Sequence, residues 1–313
     1  MKKTIVTITV DTEFSTHKED MGIFGRIGNQ EYGVPKLLEL LDGHGFKATF
    51  FLDVYTNKKG YLDSFKEICR ELKHKGHDLQ LHTHPDGMFD GTRCGMKEYS
   101  LEEQIKIIKR GKELFREWFE QEPMAHRAGD WAANYDTLKA LIANGIKVDS
   151  SMFYGWDNCH LNQSPLTKNS IVEYQNIVEI PASVFISDSL GVFSPYRLLS
   201  TDGNTFNEVR TLLNKLQEKA VPVVNLVYHS FSFLKWNKDR TEYSVAESRL
   251  RKFKLLLEFL SQEKERFEVK TIQHICQLYC QNKEKLTASE DFLPRSSRVD
   301  TCLRFMERVR GLS

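Results

Sequence analysis

Long apolar runs are missing from this 313-residue chain. No window approaches the roughly 20 apolar residues that a bilayer-spanning helix needs, so no transmembrane segment is expected. No secretory leader is expected either: MKKTIVTITVDTE has two lysines, but its apolar stretch falls short of the roughly 7–15 residues of a signal core and no small-residue cleavage site follows. It reads as a strand, and the protein is expected to be soluble and cytoplasmic. Nor is there an excess of one charge. Charged residues make up 28% of the chain and the net charge is +1, which suggests neither nucleic acid nor an anionic membrane surface as partner. The six cysteines, Cys69, Cys94, Cys159, Cys276, Cys280 and Cys302, contain no CxxC pair, so a disulfide framework and a thiolate zinc knuckle are poorly supported and reduced thiols are expected. The glycines at 22, 25, 28 and 33 lie in a long charged loop rather than in a direct strand-to-helix turn. They are a candidate rim over a site and not a dinucleotide fingerprint. Internal repeats and low-complexity tracts are absent.

What is present is a regular alternation. A strand over about 4–10 precedes VPKLLELLDGHG, a helix by its apolar spacing and its early Pro35. KATFFLDV is a buried strand, a helix covers about 61–75, and HDLQLH is the next strand. SLEE opens a helix to about 120 with Ser100 and Glu103 as a capping box. MAHRAGDW, a helix over 135–144, IKVDSSM, a strand at 177–181, a helix over 206–218 and VPVVNLVYHSF continue the pattern, which a helix over about 243–263, the strand FEVKTI and a helix to about 281 close. Residues 152–205 read as long aromatic loops fit to cover a cleft. The length suits one α/β domain, here 1–282, with 283–313 appended as a loosely docked helix from 299 or a frayed tail. Repeated β-α units with chemistry at one edge point to a parallel barrel or a doubly wound sheet.

The chemistry gathers at strand ends. In LQLHTHPDG, residues 79–87, His82 and His84 lie two apart, so both rings face one way and can address one cation. Asp11 and Glu13 repeat that spacing where the first strand ends. If the first and third strands run parallel in one sheet, these four groups converge at its carboxyl edge.

DTE at 11–13, HTHP at 82–85, RAGDW at 127–131, DSS at 149–151 and LVYH ending at 229 stand in one order. Over roughly residues 4–282 the chain thereby resembles the polysaccharide deacetylases of carbohydrate esterase family 4, the NodB-homology domain. The resemblance implies a distorted (β/α)7-type barrel, as in other glycoside hydrolase/deacetylase-like folds. It implies metal-dependent removal of an N-acetyl or related acyl group from an acetamido sugar or glycan precursor. It makes Asp11 the general base with Arg127 as its partner, gives Glu13, His82 and His84 to a divalent metal, and makes His229 the general acid, oriented by Asp149. Zinc is the first expectation for that ion, with cobalt, nickel or manganese as alternatives. Two departures matter: the usual family pattern has adjacent aspartates and a histidine pair four apart, whereas this chain has DxE and HxH. Such variants look like the branch linked to lipopolysaccharide and O-antigen biosynthesis. Trp131, Tyr154 and Trp156 are candidate sugar-stacking residues.

Each residue taken alone has a plainer reading. An acid after a strand is most often a turn former, a histidine ending an apolar strand a satisfied core residue, and a tryptophan a core member before a sugar platform. His17, His44, His74, His77, His126, His160 and His274 have no partner spacing that demands function. Two rival functions are a phosphoesterase or amidohydrolase, which also use HxH, and a catalytically silent carbohydrate-binding barrel.

Overall fold

The computed structural model describes residues 3–14, 22–55, 61–161, 166, 168–187, 195–239, 242–288 and 290–309. His17 and part of the glycine-bearing loop lie outside them. In chain order the strands are β1 (Thr4–Thr12), the hairpin β2 (Arg26–Ile27) and β3 (Gln30–Glu31), β4 (Thr49–Asp53), β5 (Asp78–Thr83), β6 (Ala125–Ala128), β7 (Val148–Asp149), β8 (Val172–Tyr174), β9 (Ile177–Glu179), β10 (Val184–Ile186), β11 (Tyr196–Leu198), β12 (Val223–His229), the hairpin β13 (Leu234–Trp236) and β14 (Tyr243–Val245), and β15 (Phe267–Val269). The helices are α1 (Val34–Gly43), α2 (Leu62–His74), α3 (Leu101–Phe119), α4 (Tyr135–Ala143), α5 (Phe206–Glu218), α6 (Glu247–Gln262), α7 (Ile272–Gln281), α8 (Lys283–Leu286) and α9 (Arg298–Val309).

One curled sheet runs β12-β1-β4-β5-β6-β7-β9-β8, with β15 pairing β1 beside this path. Every pairing in it is parallel except that of the β8–β9 hairpin. Of the two architectures the alternation allows, the fold is the distorted barrel that the resemblance implies, curled rather than fully closed by ladders. At the gap between β9 and β12 the chain uses single contacts: Ser183 N–H donates to the Asn225 carbonyl at 3.0 Å, and Asn225 N–H donates to Ser183 Oγ at 2.9 Å.

Alternation along β1 sorts its side chains into two layers. Val6, Ile8 and Val10 join the apolar layer between sheet and helices, while Ile5 packs inside the barrel with Phe51, Ala125, Val148, Val178 and Val223. Ile272, Ile275, Cys276 and Tyr279 of α7 belong to that inner cluster and plug the floor. Above the floor the same inward face turns polar: Thr9 is followed by Asp11, both buried. A packed apolar base under a polar mouth is what places the chemistry at the carboxyl edge.

The capping box at α3 forms as expected, with Ser100 N–H donating to the Glu103 carboxylate at 2.8 Å and Glu103 N–H to Ser100 Oγ at 3.4 Å. The helix expected from about 243 starts instead at Glu247, because Tyr243–Val245 pairs with Leu234–Trp236 as a hairpin. The strand at 177–181 ends at Glu179 and is hydrogen-bonded to Val172–Tyr174. Among the described residues beyond 282 the chain is docked: Asp291 accepts from the backbone N–H groups of Lys168 and Asn169 at 2.8 and 2.9 Å.

Asn225 is the side chain on which the gap depends. Its amide donates to Ser150 Oγ at 3.1 Å, and its carbonyl accepts from Thr9 Oγ1 at 3.0 Å, all in buried surroundings. Asn225→Ala is expected to lower unfolding free energy by about 2 kcal/mol, since two buried hydroxyls each lose one of their partners; urea denaturation measures this, and an unchanged midpoint would contradict the role given to Asn225.

Candidate metal and catalytic site

The three expected ligands meet. Glu13 follows the end of β1, His82 lies in β5 and His84 just beyond it, and their ligand atoms all lie within 4.8 Å of one another. Glu13 Oε2 is 2.5 Å from His84 Nε2 and 3.3 Å from His82 Nε2. The β1 and β5 strands are not neighbours; β4 lies between them, so the groups converge across the curl of the sheet. His82 Nδ1 is 2.9 Å from the Arg127 carbonyl. A carbonyl can only accept, so Nδ1 carries a proton and Nε2 is the ring atom turned toward Glu13. That is the backbone anchoring expected of an imidazole metal ligand.

Gly129 makes room for His84. A Cβ built on it would lie 2.5–2.6 Å from three atoms of the His84 ring, so only glycine allows the imidazole to rest on this turn. The next two residues, Asp130 and Trp131, have φ of 51° and 58°, a left-handed pair that non-glycine residues adopt at a cost. The turn is braced by Trp131, whose ring meets Phe153 edge-on at 5.6 Å.

Beside the ligands sits Asp11, at the end of β1 and paired in register with His229 of β12. Arg127 Nη1 donates to Asp11 Oδ1 at 2.6 Å. The rest of that guanidinium donates to Thr9 Oγ1, Ser150 Oγ and the Ser150 carbonyl, each at 3.0 Å, and it lies 4.2 Å from the Phe51 ring centroid and 4.9 Å from that of Trp131. Arg127 is fully buried. Such a charge persists in a core only when paired and saturated with acceptors, and both conditions hold.

The charges of the ligand group are interlocked. Burial acts to raise the Glu13 carboxyl, but the His84 and His82 rings outweigh it and hold it well below the usual carboxylate range. For His84 burial opposes the imidazolium, yet Glu13, with Asp53 and Asp130, overcomes this and holds the ring's pKa up at about 10. A proton on His84 thus stands where a cation would.

Several expectations need correction or addition. Asp149 does not orient His229. Its Oδ1 lies 2.9 Å from His126 Nδ1 and accepts from Ser151 Oγ at 2.8 Å, and its Oδ2 accepts from Ser151 N–H at 3.1 Å. Val148 and Ser150 face the barrel interior, so alternation turns Asp149 outward. The carboxylate within electrostatic reach of His229 is Asp202, buried and raised mainly by that burial. Ser232 lies between them: its hydroxyl donates to Asp202 and accepts from the backbone N–H of His229, not from the ring. Trp131 is buried and braces Arg127, so it offers no open stacking face. Trp156 stacks on Phe153 at 5.4 Å with its indole N–H on the Asp130 carbonyl at 3.1 Å, and is 43% exposed. Tyr154 meets Tyr196 edge-on at 4.8 Å.

Two residues escaped sequence reading. Ser230, wholly buried, donates to the Glu13 carbonyl at 3.0 Å and its N–H donates to the Asp11 carbonyl at 2.9 Å, tying the acid pair to β12. Asp53 ends β4 in register with His82, and burial, partly offset by His84 and His82, raises its carboxyl. A carboxylate ending the strand KATFFLDV was the visible signal.

Two outcomes follow from this geometry. Because a metal must displace the His84 proton, zinc binding at pH 7 should release about one proton and weaken about tenfold per unit fall in pH; calorimetry in buffers of different ionisation enthalpy reads this, and binding without proton release would contradict it. Gly129→Ala should displace the His84 ring and weaken zinc affinity by at least ~10-fold while the circular dichroism spectrum stays unchanged; unaltered affinity would show that the ring does not need this turn.

Residues 2–148 match the family model for polysaccharide deacetylase. A Mycobacterium smegmatis protein assigned to the polysaccharide deacetylases has a similar structure, with 18% identity, coverage of 95% of this chain and 93% of that one, and a TM-score of 0.59. The chitin deacetylase of the fungus Colletotrichum lindemuthianum aligns more loosely, at 13% identity, 87% of each chain and a TM-score of 0.47. So does a CE4 family pseudoenzyme from Bacillus anthracis, at 12% identity, 87% of this chain, 65% of that one and a TM-score of 0.46. No curated protein sequence matches the chain.

Proposed function

Residues 2–148 match the polysaccharide deacetylase family model, and on that premise we propose that the chain is a member of that family and a metal-dependent hydrolase removing an N-acetyl or related acyl group from a sugar or sugar-containing precursor. The observation that carries the reading is the joint geometry of Glu13, His82 and His84, within 4.8 Å of one another, and of Asp11, held apart from them by Arg127 at 2.6 Å.

The donor set of two imidazoles and one carboxylate fits a zinc-class divalent ion. When bound, that ion supplies Lewis acidity to the scissile carbonyl. The chain's own groups do the rest. Asp11, engaged by Arg127 through one oxygen only, accepts a proton from the attacking water as the new C–O bond forms. Arg127 fixes the direction of that carboxylate, and its carbonyl fixes His82, so one buried residue sets both base and ligand. His229, in register with Asp11 on the adjoining strand, gives a proton to the departing nitrogen as the C–N bond breaks. Acetate and a free amine leave. The Asp202–Ser232 pair anchors the backbone at His229, and Trp156 at the rim offers one ring face to a sugar.

A role in cell-surface polysaccharide synthesis belongs to the same proposal and is supported by the DxE and HxH pattern. A cytoplasmic location is supported by the six scattered cysteines, which offer no CxxC pair and suit a reducing compartment.

Asp11→Asn is expected to keep zinc stoichiometry in metal analysis while acetate release from acetamido sugars falls by about 10²–10⁴; His84→Ala is expected to lose the metal itself. Equal activity of wild type and Asp11→Asn, or no acetate from any acetamido sugar or nucleotide-linked form with the zinc-loaded protein, would overturn the reading.

A further inference from the structure

α9 is docked inside out. Its buried contacts are polar: the Arg304 guanidinium pairs with the Glu208 carboxylate and with Ser187 Oγ, and Glu307 meets the buried Lys252 ammonium at 3.3 Å. Its apolar residues point away. Val299, Leu303, Phe305 and Met306 are 67%, 38%, 67% and 43% exposed, and Cys302 is exposed beside them. Four of the seven large apolar side chains exposed among the described residues therefore belong to this one helix. Positions 299, 302, 303 and 306 fall at i, i+3, i+4 and i+7, one stripe of a helix surface, with Phe305 at its flank. An ordinary surface helix buries such a stripe and shows its charges to water. The orientation is fixed by more than the helix: Ile186 N–H donates to the Pro294 carbonyl at 2.8 Å and Ser296 N–H to the Ile186 carbonyl at 2.9 Å, just before α9 begins.

We propose that this stripe is a peripheral membrane-contact surface, which lies among the headgroups of an anionic bilayer with its apolar side chains inserted. Charge selects this occupant. Residues 295–310 hold five arginines, at 295, 298, 304, 308 and 310, against two acids, Asp300 and Glu307, a net of +3 in a chain whose total is +1. Both acids are engaged within the protein, Asp300 by Ser297 N–H at 3.2 Å and Glu307 by Lys252, and of the arginines Arg304 is likewise spent on Glu208, so the excess for a headgroup comes from the other four. The whole-chain balance, which argued against an anionic surface, conceals this local excess. A basic amphipathic helix lying in the interface plane gains from both apolar insertion and headgroup attraction. A second copy fits less well: twelve residues of helix span about 18 Å, and one such stripe is small beside the roughly 800 Å² per partner of a stable interface. No helix among the described residues is long and apolar enough to cross a membrane, so contact is by the surface alone. The inference is independent of the deacetylase reading.

The test is cosedimentation of the full chain with phosphatidylglycerol/phosphatidylcholine vesicles and with pure phosphatidylcholine vesicles, alongside sedimentation velocity without lipid. The wild type should bind the anionic vesicles, more weakly as salt rises, and hardly bind the neutral ones. The double variant Phe305→Ser, Met306→Ser should keep the wild-type melting temperature and lose about tenfold or more in partitioning. Absence of vesicle binding, equal binding by the variant, or a lipid-free wild-type dimer that the variant dissociates would each overturn the proposal, the last by assigning the stripe to a second copy.

Discussion

The buried pairing of Arg127 with Asp11 is the contact on which the site depends. A guanidinium with no exposure to solvent has no water to satisfy it, and the effective cost of burying an ion is several kcal/mol. The barrel meets that cost from two strands at once: Asp11 and Thr9 from β1, and the Ser150 hydroxyl and carbonyl just past β7. Aromatic faces from Phe51 and Trp131 close the remaining space. Since the same residue's carbonyl fixes the His82 ring, disturbing the pair would reach both the proposed base and the proposed ligand set.

That arrangement requires the interior to change character along its axis. Below, Ile5, Phe51, Val148 and Val223 are sealed by α7; above, the same inward-facing register delivers Thr9, Asp11 and Glu13. Alternation of period two makes the change possible without altering the outer layer, where Val6, Ile8 and Val10 stay apolar and hold the helices. Fold stability and chemistry are thus written on opposite faces of one strand.

The same periodicity explains what was legible in the sequence. DxE and HxH could be read as convergent because spacing by two fixes a shared face, and the strand-helix alternation set both segments at one sheet edge. The partner of His229 could not be read so. Asp149 stands at a strand end, but its neighbours Val148 and Ser150 point inward and it serves His126 instead. Asp202, the carboxylate near His229, comes from an irregular stretch with no periodic signal, and Ser230 acts through a hydroxyl bond that no spacing announces. The hairpin of β13 and β14 was hidden for a related reason: three-residue strands are too short to show a pattern, and Tyr243–Val245 merged with the helix that follows it. In α9 the apolar spacing was visible, but which face it would bury depended on the pairing of Arg304 with Glu208.

Anomalous diffraction at the zinc absorption edge from crystals of the zinc-loaded protein tests the central claim most directly. The account predicts one strong peak bounded by Glu13, His82 and His84, with the Asp11 carboxylate still on Arg127 and outside the coordination sphere. A peak elsewhere, or one ligated by Asp11 with the Arg127 contact broken, would contradict it.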